Sequence, residues 1–302
     1  MLRYSILLSR VVGTVLVILT VVYYQGFNNV KLEMPSQLLW LRASKGNYPI
    51  HIAQKLNKTA VMTRCMHPLA GAVARIADWR SSLPKEVDFW VQVDNSTGGA
   101  NADFKTIRSG LSDPDSVEFS AFTVEQMTER FPSLSNLLDR HHLDSVGASI
   151  SWGFHIEALN LWYEIVRPRK HYDYVWIIEC DVGFSGKLGD FVGNMTSRNE
   201  DLLLPYKRVM NSSWPFYNTA TPAFAQIAPN TTDRIYGAEQ FQRISAKLFD
   251  ILLDWSSRGV SAWSEMSTPT AVKYYNLTDY ELTPYFDINQ MDWDKRVSRE
   301  EW

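Results

Sequence analysis

The sequence predicts an α/β domain, a mainly parallel mixed sheet flanked by helices on both faces, preceded by one N-terminal transmembrane helix. Three observations predict it. From Thr59 onward, short apolar runs alternate with amphipathic helical stretches, and strands that alternate with helices pair in parallel. The run Tyr174–Ile178 is apolar throughout, as a strand buried on both faces must be. The stretch from Thr59 to the end contains no linker, and about 245 residues suffice for one sizeable core.

The N-terminus sets the compartment. Residues 4–24 are almost wholly apolar, with Arg10 the only charge. A spanning helix needs roughly 20 apolar residues, so the stretch qualifies when Arg10 snorkels to the headgroups. Arg3 and Arg10 precede the apolar core and Lys31 follows it, which leaves the N-terminus cytosolic and the rest across the membrane. A cleaved signal peptide is the rival reading, but Val-Val-Tyr-Tyr-Gln-Gly offers no Ala-x-Ala cleavage site. Residues 1–24 thus read as a cytosolic tip and signal anchor, 25–58 as a stem, and 59–302 as the folded domain. Sequons at Asn57, Asn95, Asn194, Asn211, Asn230 and Asn276 point to a secretory lumen.

Within the domain, Thr59–Cys65 reads as a strand. Pro68–Leu83 reads as a helix, with Leu69, Val73, Ile76 and Arg80 at helical spacing and Pro84 as its stop. Val87–Val93 is the second strand and leads into a turn-rich stretch, Asp94–Asn101. Val117–Phe122 is the third strand and Val124–Arg130 a short helix. Ser151–Val166 is an amphipathic helix that places Trp152, Ile156, Leu159, Trp162 and Val166 on one face, followed by the strand Tyr174–Cys180. Asp201–Pro205 is a short strand. Glu239–Arg258 reads as one long helix striped by Phe241, Ile244, Leu248, Ile251, Leu252 and Trp255, with Gly259 as its C-terminal cap. A short helix starts at Pro269, capped by Thr268, and the tail from Tyr280 is irregular and polar.

Composition narrows the function. A formal net charge of −3 without a Lys/Arg run argues against nucleic acid. Cys65 and Cys180 are the two cysteines, so a disulfide scaffold is excluded. Both sit at ends of predicted strands, where they either bridge in an oxidising lumen or stay as buried thiols. The eleven Trp suit a large core, which accounts for most of them, with a sugar-stacking surface as the other use. Gly-x-Ser-x-Gly and P-loop motifs are absent from the sequence, against a serine hydrolase and an NTPase.

The strand Tyr174–Cys180 ends in Glu179 and Asp181, then a Gly-containing turn. Ligands collect at the carboxyl ends of strands in open α/β sheets. An acidic pair there suits a hard divalent cation that shares its oxygens with substrate phosphates; the plainer alternative is a pair of solvated strand-end acids. Glu265, among Ser261, Ser264, Ser267 and Thr268, is the second carboxylate of interest, either a general base or a helix-start charge. Asp94 is placed for nucleotide contact but adjoins a sequon. His155, on a helix with apolar neighbours, reads as a satisfied, partly buried histidine before a functional one, and His141-His142 as a solvated loop before a metal site.

Anchor, stem, alternating β/α units and the acid-x-acid strand end together resemble a Golgi glycosyltransferase of the GT-A fold. More narrowly, the stretch Tyr172–Gly186, with Gln242–Phe249 and Ser264–Thr270, resembles an uncharacterised fungal and protist family of such type II membrane proteins. The likeness runs from Thr59 to Pro284. It implies a single-pass protein of the Golgi or endoplasmic reticulum membrane with a lumenal domain. That domain would move a sugar from a nucleotide-diphosphate donor to a glycan or glycoprotein hydroxyl with Mn²⁺ or Mg²⁺. It also implies that Asp181 binds the metal directly. Glu179 stands where the family motif has Asp, and would contact ribose or reach the metal through water. A catalytically inactive binding or scaffold protein that keeps the fold is the alternative, and a soluble lumenal hydrolase a more distant one.

Overall fold

The structure, a computed structural model, describes residues 40–42, 58–68, 70–139 and 150–285. The anchor at 1–24, most of the stem, Asn57, the pair His141-His142 and the last seventeen residues lie outside the described residues. Among the described residues, no helix is long and apolar enough to cross a membrane.

The first half of the domain runs β1 (Trp40–Arg42), β2 (Thr59–Cys65), α1 (Ala70–Ser82), β3 (Asp88–Asp94), α2 (Ala100–Gly110), β4 (Glu118–Phe122), α3 (Val124–Arg130), α4 (Ile150–Gly153), α5 (His155–Val166) and β5 (Tyr174–Glu179). The second half runs β6 (Gly183–Ser185), α6 (Leu188–Asn194), β7 (Leu202–Leu204), β8 (Lys207–Val209), α7 (Pro222–Ile227), β9 (Ile235–Gly237), β10 (Phe241–Ser245), α8 (Ala246–Ser257), α9 (Ser264–Tyr274) and β11 (Asp279–Glu281). The main sheet has the order β11-β7-β10-β5-β2-β3-β4. Its strands run parallel except β10, which is antiparallel to both β5 and β7. The predicted fold class, a mainly parallel mixed sheet between helices, is the one observed.

Burial on both faces explains the continuous apolar strands. In β5, Val175 and Ile177 pack with α5 and α8 residues such as Leu159 and Leu248. Trp176 and Ile178 point the other way, to Ile76 of α1 and Phe191 of α6. Each face thus closes its own core.

Four sequence readings are corrected. The stretch Glu239–Arg258 is not one helix: Phe241–Ser245 is β10, fully buried between two strands. A central strand carries buried residues on both faces, so its Phe241 and Ile244 mimic helical spacing. Ser245 then caps α8 by accepting from the Leu248 N–H at 3.1 Å. The stretch Ser151–Val166 breaks at Phe154, whose φ of −122° and ψ of 53° are not helical, and Trp152 is 43% exposed instead of sharing the buried face. The helix α9 starts at Ser264, with Pro269 in its interior. There the proline removes the N–H that would bond to the Glu265 carbonyl, while Thr270 holds the helix to Ile235 of β9 through hydrogen bonds of 3.0 and 3.1 Å. Finally, the tail from Tyr280 is not wholly irregular, because β11 pairs with β7 and completes the sheet. The helix α2, buried only at Ala100 and Ile107, had too narrow a stripe to be read.

Cys65 and Cys180, one at the end of β2 and the other just past β5, form a disulfide with a Cα–Cα distance of 5.5 Å across a separation of 115 residues. Closing a loop of that size restricts the unfolded chain strongly. Cys65→Ser is therefore expected to lower unfolding free energy by about 2–4 kcal/mol, read from urea unfolding with and without reductant.

Candidate active site

The chain leaves β2 for β3 and β4 on one side, and returns as β5 on the other. The strand order reverses there, and in open α/β sheets that is where a ligand crevice opens, at the strands' carboxyl ends. Arg64 and Glu179 are register partners across this switch point. Because β10 runs the opposite way, its start lies at the same edge, and the Gln240 carbonyl accepts from the Glu179 N–H at 2.9 Å. Glu239 is the residue just before. Two helix starts complete the site: His155 opens α5 and Glu265 lies in the first turn of α9. The Ser264 hydroxyl ties the two starts together, donating to the Gly153 carbonyl at 3.1 Å and accepting from the Ile156 N–H at 3.3 Å.

At the centre, Arg64 Nη2 donates to Glu179 Oε1 at 2.8 Å and lies 2.7 Å from His155 Nδ1. The same Nδ1 is 2.6 Å from Glu239 Oε1 and 3.6 Å from Glu179 Oε1. Glu239 is almost fully buried at 3% side-chain exposure, whereas His155 and Glu179 keep 16% and 22% open to solvent. Burial pushes the His155 imidazole down to about 3, with Arg64 adding to the effect, so the ring is neutral. Burial also pushes the carboxyls of Glu179, Glu239 and Glu265 above the usual carboxylate range, and for Glu265 the charge of Glu239 raises it further. A group of acids this displaced, meeting at the switch point of the sheet, marks a candidate functional site.

The contacts oversubscribe one nitrogen. A neutral imidazole offers either one N–H or one lone pair at Nδ1, yet both a guanidinium donor and a carboxyl oxygen crowd it. Glu239 Oε2 meanwhile is buried without a protein partner. A divalent cation fits these residues: the ligand atoms of His155, Glu179 and Glu239 all lie within 4.8 Å of one another, ready to donate one imidazole nitrogen and two carboxylate oxygens. That mixed set suits Mn²⁺ better than Mg²⁺, which favours oxygen ligands and water.

The other expected residues are distributed around this centre. Asp181 lies on the turn after Glu179, outside the trio whose ligand atoms converge. Burial raises its carboxyl while Arg75 and Arg64 pull it down. Arg75 also donates to the Cys180 carbonyl at 3.1 Å, bracing the turn. Asp94 ends β3 at the same sheet edge, but its Oδ1 accepts from Ser96 N at 2.8 Å and Ser96 Oγ at 2.5 Å. Its charge still reaches His155. Glu265 Oε1 lies 3.5 Å from the Gln240 side-chain amide. The structure therefore brings Glu179 and Glu265 to one cluster and leaves Asp94 and Asp181 at its border.

His155 is partly buried and hydrogen-bonded, as expected, but its partners are the charged residues of this cluster. Arg64 and Glu239 were missed outright. A charged residue inside the apolar run Thr59–Cys65 was the available signal for Arg64, while Glu239 was absorbed into the long helix read over it.

Neither a protein-family model nor a curated protein matches this chain in sequence. Among solved structures it is similar to the mannosyltransferase Ktr4p from S. cerevisiae, at 12% identity and a TM-score of 0.43 over 82% of this chain and 74% of that one. It is also similar to core-mannan synthase A from Aspergillus fumigatus in its Mn/GDP form (13% identity, TM-score 0.41, 81% and 77% covered). A third is a mannosyltransferase from Pyrobaculum calidifontis in complex with GDP-Man and Mn²⁺ (10% identity, TM-score 0.40, 78% and 58% covered). Superpositions this loose fix no residue correspondence, so the site's own geometry carries the functional reading.

Proposed function

We propose that this chain is a glycosyltransferase of the GT-A type. It moves a sugar from a nucleotide-diphosphate donor to a hydroxyl of a glycan or glycoprotein, with Mn²⁺ at its site. The observation that carries the reading is the meeting of His155, Glu179 and Glu239 at the sheet's switch point, with the Glu265 carboxyl beside them.

In this reading His155, Glu179 and Glu239 would hold the cation, with Asp181 on the turn after Glu179, and Asp94 would contact the nucleotide. When bound, a divalent ion there supplies Lewis-acid neutralisation of charge on the departing diphosphate. Glu265 takes the proton of the acceptor hydroxyl as that oxygen bonds to the anomeric carbon and the bond from carbon to phosphate oxygen breaks. Its raised pKa suits this work, since a base operates best near the ambient pH. Arg64 holds Glu179 through its 2.8 Å contact and opposes the burial that raises this carboxyl.

The same proposal puts residues 59–302 in the lumen of the Golgi or endoplasmic reticulum, behind an anchor at 1–24. The sequons Asn194, Asn211, Asn230 and Asn276 are exposed, which supports it. Endoglycosidase treatment should shift the protein's mass; an unchanged mass would remove the lumenal placement.

One observation favours a second reading, an inactive scaffold. The Arg64 guanidinium already neutralises Glu179 and reaches His155, which is part of what a metal would do. Thermal unfolding of the purified protein against a nucleotide-sugar panel, with and without Mn²⁺, separates the two. Stabilisation by a nucleotide sugar that needs Mn²⁺ supports the transferase. No stabilisation by any nucleotide favours the scaffold.

A further inference from the structure

A wall of aromatic rings adjoins the proposed base. Trp263 directly precedes α9, two residues before Glu265. The Trp263 ring stacks on Phe216 with centroids 3.7 Å apart, and Trp152 meets it edge-on at 5.0 Å. Phe216 and Trp152 are thus both in contact with the ring of the residue that opens α9. Beyond them, Trp214 touches Phe216 at 5.3 Å and stacks on Tyr236 at 5.9 Å, and Tyr236 meets Tyr206 at 6.2 Å. Burial raises the Tyr206 hydroxyl, and the charges of Tyr236 and Glu265 add to the effect.

The chain makes room for this arrangement. A Cβ at Gly153 would lie 2.6 Å from the Trp263 ring, so the glycine permits the indole to pack against the α4–α5 break. Trp263 itself is buried, but Trp152 is 43% exposed and Trp214, Phe216, Tyr236 and Tyr206 are half-buried. Their neighbours on the loop, Ser213 and Asn218, are polar and exposed.

We propose that this wall is the acceptor subsite and that its ligand is a pyranose sugar. The inference rests on the glycosyl-transfer reading, because it is the position of Glu265 that tells which substrate the wall faces. A pyranose presents C–H bonds on its faces and hydroxyls around its edge. Half-exposed aromatic rings bury the C–H face, while phenol hydroxyls and the polar rim take up the edge. A sugar stacked there offers a hydroxyl toward Glu265, which is the group a general base must reach.

The test is saturation-transfer NMR on the purified full-length protein, with the methyl pyranosides of glucose, galactose and mannose in both anomers as probes. Nucleotide stabilisation by UDP and GDP with Mn²⁺ is followed on the same samples. At least one pyranoside should receive saturation from the protein's aromatic protons. Trp152→Ala and Phe216→Leu should each weaken that binding by about three- to tenfold, while Trp152→Phe keeps most of it. An unchanged unfolding midpoint in the absence of ligand shows that a variant is folded; for one that is not, Trp152→Phe and the wild type decide. Absence of saturation for every pyranoside, or wild-type binding in both truncated variants, overturns the subsite. Nucleotide binding without pyranoside binding sinks this inference and leaves the transferase standing. Pyranoside binding without any nucleotide binding sinks the transferase reading and leaves a carbohydrate-binding face.

Discussion

Replacing Glu239 with Gln is expected to lower Mn²⁺ affinity by on the order of a hundredfold or more and to reduce turnover by orders of magnitude. Glu239 is buried to 3% side-chain exposure and stands 2.6 Å from His155. The amide keeps the shape of the acid and removes the charge that a cation needs, so the fold should survive. Removing a buried carboxyl whose burial disfavours its charged form even relieves the metal-free protein. The expected pattern is a thermal midpoint equal to or above wild type without metal, and no rise on adding Mn²⁺. Glu179→Gln should behave similarly, with some loss of stability because it also unpairs Arg64, which is 8% exposed. Asp181→Asn should be milder, since Asp181 lies outside the converging trio. Electron paramagnetic resonance of added Mn²⁺ reads all three. If Asp181→Asn abolished binding and Glu239→Gln left it intact, the cation would belong on the turn and not at the trio.

Glu265→Gln is expected to reduce kcat by about 10²–10⁴-fold with donor affinity nearly unchanged, because the lost proton acceptor matters chiefly in the transition state. One direct displacement with a base on the acceptor side inverts the anomeric centre. Proton NMR of the first-formed product should therefore show the configuration opposite to the donor's. A product with the donor's configuration would contradict the assignment and reduce Glu265 to positioning the acceptor.

Much of this architecture is legible in the sequence, for identifiable reasons. The strand β5 and the acids at its end stand out because a doubly buried strand must be apolar and must then stop at something polar. The helix α3 is read with its correct limits, since Thr123 and Gln126 form a capping box at its start. What escapes is whatever depends on distant partners. Arg243 looks like the polar side of a helix, yet it is buried in β10, donating to the Met195 and Glu200 carbonyls and lying 4.0 Å from the Tyr174 ring. The sequence reads His155 as a satisfied, partly buried histidine and does not show who satisfies it. Its partners Arg64, Glu179 and Glu239 are 91, 24 and 84 residues away along the chain, and only the sheet order brings them together. The break at Phe154 sits beside Gly153, where a Cβ would lie 2.6 Å from the Trp263 ring, a close approach between segments that share no local pattern.

The central claim is that a nucleotide diphosphate and a divalent cation bind together at the cluster of His155, Glu179 and Glu239. Calorimetric titration of UDP and GDP into the full-length protein, with Mn²⁺ present and with it removed by chelation, tests this most directly. The account predicts that one nucleotide binds with Mn²⁺, does not bind without it, and is lost in Glu239→Gln. Equal binding with and without Mn²⁺, or undiminished binding in Glu239→Gln, would contradict it.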